Sequence, residues 1–263
     1  MRTIVIGPAG KMGKLIARIV HERENMSLVG AVGPRGREYI GRDVGEVASI
    51  GERTGAVVVD DIENIIDECD VIVDYTAAEC SMEMMEIALR HGKSFVCGTT
   101  GFSKEQMGRI EEISKQIPLV YAANTSRVVN LMYKLLEITA KAIGDVADIE
   151  IVDMHDKNKK DAPSGTAKEM GEVIAKALSQ DISDIASYGR TSERESGSIG
   201  YHSLRAGDIS SSHTVMFGLM GERLEITHHA HNWECFAQGA CESAMYLKGK
   251  QAGLYTVKDV LGI

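Results

Sequence analysis

Nowhere does this chain contain the roughly 18 consecutive apolar residues that a membrane-crossing helix needs. Its five cysteines, Cys69, Cys80, Cys97, Cys235 and Cys241, are scattered and form no Cys-x-x-Cys pair. That pattern excludes a dense disulfide framework and fits incidental thiols in a reducing compartment. The N-terminus reads as a strand running into a glycine turn. It has neither the long apolar segment nor the cleavage site of a signal peptide, so the expected location is the cytoplasm. A net charge of −9 argues against a broad footprint on nucleic acid or on an anionic membrane. No internal repeat and no low-complexity linker is present.

What is present is 263 residues of ordinary globular composition, enough for one or two domains. The first half alternates short β-rich runs with amphipathic runs. Strands are predicted over Thr3–Gly7, Ser27–Val32, Val57–Asp60, Val71–Tyr75, Ser94–Gly98 and Leu119–Ala123. Met12, Leu15, Ile16, Ile19 and Val20 share one helical face, and Met82–His91 and Lys104–Gln116 read as further helices. Apolar strands separated by helices imply a parallel sheet covered on both faces. The second half differs. A helix over about Val128–Ile143 leads to a strand at Asp148–His155, a polar loop at Asp156–Pro163 and a helix from about Ser164. Strands then follow one another at Ile199–Arg205, Thr214–Leu219 and Arg223–His228, before a last helix over Glu234–Lys248.

The expected fold class is therefore α/β, with an N-terminal Rossmann-like parallel sheet and an α+β C-terminal domain holding a mixed sheet. The expected division is a dinucleotide-binding domain at 1–126 and a substrate-binding and oligomerisation domain at 127–238. A C-terminal segment from about 239 to 263 returns to the first domain.

Gly7-Pro8-Ala9-Gly10-Lys11-Met12-Gly13 follows the first strand and opens the first helix, a GxxGxxG variant of the dinucleotide fingerprint. Glycine allows the tight turn and lets the backbone approach a pyrophosphate. The amides at the helix start then receive the anion. Gly7, Pro8, Ala9, Gly10, Lys11 and Met12 are thus candidate cofactor contacts. NAD-specific sites place a carboxylate at the end of the second strand to bind the ribose hydroxyl. Here that position reads Gly33-Pro34-Arg35-Gly36-Arg37, which favours NADPH over NADH and nominates Arg35. Gly98, Thr99 and Thr100, and Ala122, Ala123, Asn124 and Thr125, close two later strands. They complete the candidate cofactor channel.

The densest polar cluster runs from His155 through Asp156, Lys157, Lys159, Lys160 and Asp161 to Ser164, Gly165, Thr166 and Ala167. Ser164 suits a helix N-cap, and Gly165 and Thr166 then expose amides to a carboxylate. Reduction of a C=N or conjugated C=C bond needs a hydride on carbon and a proton on its partner atom. A His or Lys within reach can deliver that proton. The alternative is a solvated lysine loop beside a packed strand-end histidine. His228, His229, His231 and Cys235 are metal-ligating types. The first two are adjacent in a strand and would point to opposite faces, so no metal site is expected.

The run Lys160-Asp161-Ala162-Pro163-Ser164-Gly165-Thr166-Ala167 closely resembles the signature of the bacterial 4-hydroxy-tetrahydrodipicolinate (dihydrodipicolinate) reductase family. The likeness extends along the chain. It takes in the N-terminal glycine turn, Gly98-Thr99-Thr100-Gly101-Phe102, Asn130-Leu131-Met132, Arg205-Ala206-Gly207-Asp208 and Gly221 to His228. The resemblance implies an NAD(P)H-dependent oxidoreductase of the diaminopimelate/lysine pathway, a homotetramer acting on a small cyclic dicarboxylate. It implies catalytic roles for His155 as general acid and Lys159 as proton donor. It places a substrate carboxylate on Gly165 and Thr166, with Ser164 and the position of Asp156 alongside. Three departures surround the expected site. The family usually has a second histidine where Asp156 stands, and this carboxylate would repel a dianion unless a lysine neutralises it. Asn124-Thr125-Ser126-Arg127 and His229-Ala230-His231-Asn232-Trp233 also differ from the family's usual runs. Two further readings stay open: a paralogue reducing a different cyclic imine or unsaturated carboxylate, and a non-catalytic dinucleotide-binding protein. The presence of both His155 and Lys159 argues against the latter.

Overall fold

The computed structural model describes all residues, 1–263. In strand β1 (Arg2–Ile6) the residues from Thr3 to Ile6 are all buried, as expected of a strand with helices on both faces. The chain continues through α1 (Lys11–Glu22), β2 (Ser27–Val32), α2 (Val44–Val47), β3 (Val57–Val59), β4 (Val71–Asp74), α3 (Ala78–Arg90), β5 (Ser94–Cys97), α4 (Lys104–Ser114) and β6 (Pro118–Tyr121). It then forms α5 (Arg127–Ile143), β7 (Asp148–His155), α6 (Gly165–Ala177), α7 (Ile182–Ile185), β8 (Ala186–Tyr188), β9 (Ile199–Arg205), β10 (Ser211–Leu219), β11 (Glu222–Ala230), α8 (Glu234–Tyr246), β12 (Gly253–Tyr255) and α9 (Val257–Leu261).

Two compact units result: Met1–Arg127 with Glu234–Gly262, and Val128–Trp233 with Ile263. The first holds a seven-stranded sheet of order β12-β6-β5-β4-β1-β2-β3, parallel throughout. The order reverses on either side of β1, and ligands of open α/β sheets bind at that switch point, beyond the carboxyl ends of the strands. Helix α1 buries Ile16, Ala17, Ile19 and Val20 in one core with Val5, Val73 and Val96. The chain rejoins this unit at Glu234, upstream of the expected 239. The reason is that α8 buries Ala237, Ala240, Cys241 and Ala244 in that same core, so the helix docks as a whole. Its small residues permit close approach: a Cβ on Gly239 would lie 1.8 Å from the Thr125 carbonyl oxygen.

The second unit carries a five-stranded sheet of order β11-β10-β7-β9-β8. It is mixed, since β10 pairs antiparallel with β7 and β11 while β9 pairs parallel with β7 and β8. Helices α5 and α6 supply Tyr133, Leu136, Met170 and Ile174 to a core against Ile149, Ile151, Val215 and Phe217. The parallel first sheet and mixed second sheet expected from the sequence are both present. The sequence reading missed only the three-residue strands β8 and β12 and short helical turns, which are too brief to show a period.

The five cysteines are all free. Burial pushes the Cys97 and Cys241 thiols up to about 12 and Cys69 up to about 11, which keeps them protonated and unreactive.

Candidate functional site

The first unit gathers its candidate residues on one sheet edge. β6, β5, β4 and β1 are consecutive and parallel. The turns Gly7–Met12, Gly98–Thr100 and Ala122–Thr125 follow the carboxyl ends of β1, β5 and β6. At the first of them Gly7 has φ +71°, a left-handed conformation that glycine adopts without strain. A Cβ on Gly13 would lie 2.0 Å from the Gly7 carbonyl oxygen, so helix and turn touch backbone to backbone. Gly10 caps α1 without any side-chain hydrogen bond, and no acidic residue lies in the first turn. The helix start is therefore shaped for an anion and not blocked by a capping carboxylate. A dinucleotide pyrophosphate fits this cradle on the backbone of residues 7–13.

Not every nominated side chain faces outward. Thr99 and Thr125 are buried. The Thr99 hydroxyl accepts a hydrogen bond from Ser81 Oγ at 2.8 Å. Thr125 Oγ1 donates to the Phe236 carbonyl at 2.8 Å and lies 2.6 Å from the Tyr75 hydroxyl. These two side chains fasten the edge, and any contact they make with a ligand is left to their backbone. Arg35, beyond β2, forms an exposed pair with Asp61 at 3.2 Å.

The second unit builds its site from strand register. Along the helix-facing side of β7 the residues run Ile149, Ile151, Asp153, His155, all buried. Apolar character gives way to polar at the end of the strand, and the neighbours match it position for position. Ile151 pairs with Val215 and Tyr201, whereas Asp153 pairs with His213 on β10 and Ser203 on β9. His213 in turn faces His228 on β11, and His155 pairs with Arg205 on β9. Side chains alternate along a strand, so laterally paired residues share a face. The result is a polar patch continuous with the apolar core.

Its hub is Asp153. Oδ2 accepts from Arg205 Nη2 at 3.1 Å and from the Ser164 backbone N–H at 3.1 Å. His155 Nδ1 stands 3.4 Å from the same oxygen, off the line of a good hydrogen bond. Burial raises the Asp153 pKa, but the neighbouring His155 ring and hydrogen bonds from Ser203, Arg205 and Ser164 outweigh it and hold the group well below the usual carboxylate range. His155 Nε2 lies 3.2 Å from Ser211 Oγ. Arg205 also donates to the Asp161 carbonyl at 2.7 Å, which ties the Asp156–Pro163 loop to β9.

Ser164 is the N-cap of α6, and its Oγ accepts from Ala167 N at 3.2 Å. That cap is worth about 1 kcal/mol. A Cβ on Gly165 would meet nothing within 4 Å, so packing within the protein does not require glycine there. Lys159 Nζ pairs with Asp161 Oδ1 at 2.9 Å, and this ammonium partner holds the Asp161 carboxyl below its ordinary range. His155, Lys159, Ser164, Gly165 and Thr166 thus lie on adjoining elements of one unit. Asp153, Ser203, Arg205, Ser211 and His213 were not anticipated as site residues. Their signal was a period-two pattern that turns polar at one end of three strands, and it shows only once the register aligns them.

Asp153, His155 and His213 have potential metal-ligating atoms within 4.8 Å of one another. The donor set does not suit a cation. The carboxylate already holds the Arg205 guanidinium, and His213 Nε2 is 2.9 Å from Ser164 Oγ. His228 is buried and His229 exposed, as strand alternation requires.

Residues 1–125 match the family model described as dihydrodipicolinate reductase, N-terminus, and residues 128–261 match the corresponding C-terminus model. The chain belongs to the dihydrodipicolinate reductase family. It is 43% identical over 265 residues to a 4-hydroxy-tetrahydrodipicolinate reductase of Hahella chejuensis, covering 100% of this chain and 99% of the relative. It is 45% identical over 266 residues to one from Pseudomonas fluorescens, with the same coverage. Among solved structures it resembles a dipicolinate-bound dihydrodipicolinate reductase from Paenisporosarcina sp. TG-14. The TM-score is 0.80 at 25% identity, over 97% of each chain. An amine dehydrogenase from Mycobacterium smegmatis shares the fold, with a TM-score of 0.66 at 15% identity over 98% of this chain and 95% of that one.

Within this family the departures acquire local explanations. Asp156 Oδ1 accepts the Asn158 N–H at 2.8 Å, so the carboxylate shapes the start of the loop. Arg127 pairs with Glu242 of α8 at 3.0 Å, an ion pair within the first unit.

Burial, followed by repulsion from His155, pushes the His213 pKa down to about 3, and burial also lowers His228. His213 is therefore neutral in the fold across the range above about pH 4, whereas an unfolded histidine titrates near 6.5. Below about pH 6.5 the unfolded chain therefore binds more protons, and stability falls as pH drops through that window. The expected slope from His213 approaches about 1.4 kcal/mol per pH unit below that pH, and His228 adds to it in the same direction. Urea melts between about pH 7 and about pH 5 should show it, and His213→Gln should flatten it. A midpoint that does not move across this range would contradict the neutral, buried assignment.

Proposed function

We propose that this chain is an NAD(P)H-dependent oxidoreductase that reduces 4-hydroxy-tetrahydrodipicolinate to tetrahydrodipicolinate in diaminopimelate/lysine biosynthesis. The observation that carries the reading is the start of α6. Ser164 caps it and donates its backbone N–H to Asp153 Oδ2 at 3.1 Å, the oxygen that lies 3.4 Å from His155 Nδ1, and this supports an anion site at the Gly165 and Thr166 amides with His155 and the Lys159 loop as proton-bearing neighbours. Loss of the 4-hydroxyl as water leaves a conjugated imine, and reduction adds a hydride and a proton across it. The nicotinamide supplies the hydride. The chain supplies the rest. Residues 7–13 hold the pyrophosphate, with the backbone at Gly98–Thr100 and Ala122–Thr125 completing the cofactor edge. The substrate carboxylate rests on Ser164, Gly165 and Thr166. Glycine at 165 leaves room for that carboxylate to approach the amides. His155, held by Asp153 and Ser211, acts as general acid, and Lys159 delivers the proton.

Arg35 and Arg37 beyond β2, with no carboxylate at that strand end, support NADPH as the preferred donor. The exposed Asp61 partner of Arg35 is weakly bound, as surface pairs are, and yields to a 2′-phosphate. A homotetramer and a cytoplasmic location complete the reading. No helix is long and apolar enough to cross a membrane. Asp156 favours one second reading, a paralogue acting on a different cyclic imine or unsaturated carboxylate.

The test is spectrophotometric. NADPH and NADH oxidation are followed with freshly generated hydroxy-tetrahydrodipicolinate and with a panel of cyclic imino acids. Turnover with the first substrate, lower KM for NADPH, and inhibition by dipicolinate are expected. Background rates with that substrate and clear turnover with another imine would transfer the assignment to the paralogue.

A further inference from the structure

His213 lies one shell behind the groups assigned to chemistry. It is 1% exposed. Its Nε2 stands 2.9 Å from Ser164 Oγ, and its Nδ1 is buried without a hydrogen-bond partner. Its ring meets that of His155 edge-on, with centroids 5.2 Å apart. The imidazole is neutral and so carries one N–H, on one nitrogen or the other.

The two tautomers have different consequences. A proton on Nδ1 would leave a buried donor without an acceptor. It would also make Nε2 an acceptor that consumes the only proton of the Ser164 hydroxyl. A proton on Nε2 is donated to Ser164 and leaves only a lone pair unmatched at Nδ1. Orphaned buried donors are rarer than under-satisfied acceptors. The second tautomer is therefore the stable one. Ser164 Oγ then accepts two N–H groups, from His213 Nε2 at 2.9 Å and from Ala167 N at 3.2 Å. Both lone pairs are occupied, so the hydroxyl proton must point away from both donors.

We infer that His213 is a positioning residue that turns the Ser164 hydroxyl into a committed donor toward a carboxylate bound on the Gly165 and Thr166 amides. This rests on the proposed reading of the α6 start as the substrate carboxylate site. His213 itself touches no substrate and acts through Ser164.

Long-range proton–nitrogen correlation spectra of the wild-type holoenzyme, with NADPH bound, read the His213 tautomer directly. Nε2–H is expected, and Nδ1–H would overturn the inference. His213→Leu removes the donor at similar volume. It is expected to raise both KM and the Kd for dipicolinate about tenfold or more, as loss of a hydrogen bond to a charged group does. kcat is expected to fall by a smaller factor. His213→Gln, which can present an amide N–H to Ser164, should restore most of the affinity. Ser164→Ala should lose as much as His213→Leu. The double variant should be no worse than Ser164→Ala alone, because the two act as a unit. Unchanged KM and Kd in a normally melting His213→Leu, or additive losses in the double variant, would overturn the inference and leave the reductase reading intact. A wild-type protein that binds no dipicolinate would overturn both.

Discussion

Lys159→Ala should lower kcat by about 10²- to 10⁴-fold, the range that a positioned proton donor contributes. The side chain sits in the loop between β7 and α6, and its ion-pair partner is the exposed Asp161 at 2.9 Å. Exposed pairs of this kind contribute about 0–1 kcal/mol to stability. The melting temperature should therefore stay close to wild type while the chemistry fails. Asp161→Asn separates position from proton. It keeps Lys159 and the Asp161 carbonyl that accepts from Arg205, and it should cost far less in kcat than removal of Lys159. His155→Ala should match the loss in rate. It also removes a ring from the buried Asp153–Ser211 network, so its melt should fall as well. A Lys159→Ala protein with a wild-type rate would remove this residue from the proton path. A protein with a lowered melt and a proportionate loss of rate would make its role structural.

The second large effect is expected at the glycine turn. In Gly13→Ala the new Cβ would fall 2.0 Å from the Gly7 carbonyl oxygen, 2.7 Å from its carbon and 3.1 Å from Pro8 Cα. All three are backbone atoms, so no side chain can swing aside, and α1 must lift from the turn. Overpacking of this kind costs about 1–3 kcal/mol. The movement also displaces the amides that would hold a pyrophosphate. Gly13→Ala should lower the melting temperature by several degrees and weaken NADPH binding by at least about tenfold, which corresponds to about 1.4 kcal/mol. Gly10→Ala is the graded control, since its Cβ would be 3.3 Å from the same oxygen and needs only a small adjustment. Titration of each variant by NADPH fluorescence, alongside its melt, checks the pair. Equal affinities for Gly13→Ala and wild type would mean that the turn packs the helix without binding the cofactor.

Much of this protein is determined by local sequence. The alternation of β-branched runs with amphipathic helices dictates a parallel sheet, because strands such as Thr3–Ile6 can bury both faces only between helix layers. The glycines at 7, 10 and 13 and the Ser164-Gly165-Thr166 helix start are local as well. Their chemistry lies in backbone conformation and exposed amides, which depend on a few neighbouring residues. The family signature spans one continuous segment and is read for the same reason.

The environment of those segments was decided by tertiary structure alone. His213, Arg205 and Ser203 lie 50 to 60 residues from Asp153 along the chain, and only β-pairing register sets them beside it. A shift of one residue would turn each of them to the other face. The sequence marks each strand as alternating but carries no local record of which residues will be opposite one another. The same holds for Thr99 and Thr125, whose hydroxyls turn inward to Ser81 and Phe236, and for α8, which docks beside α1 from the far end of the chain. Contacts within a turn of helix or a tight loop follow from bond geometry and side-chain type. Contacts between distant strands follow from how the whole core packs, and that is settled only when the chain has folded.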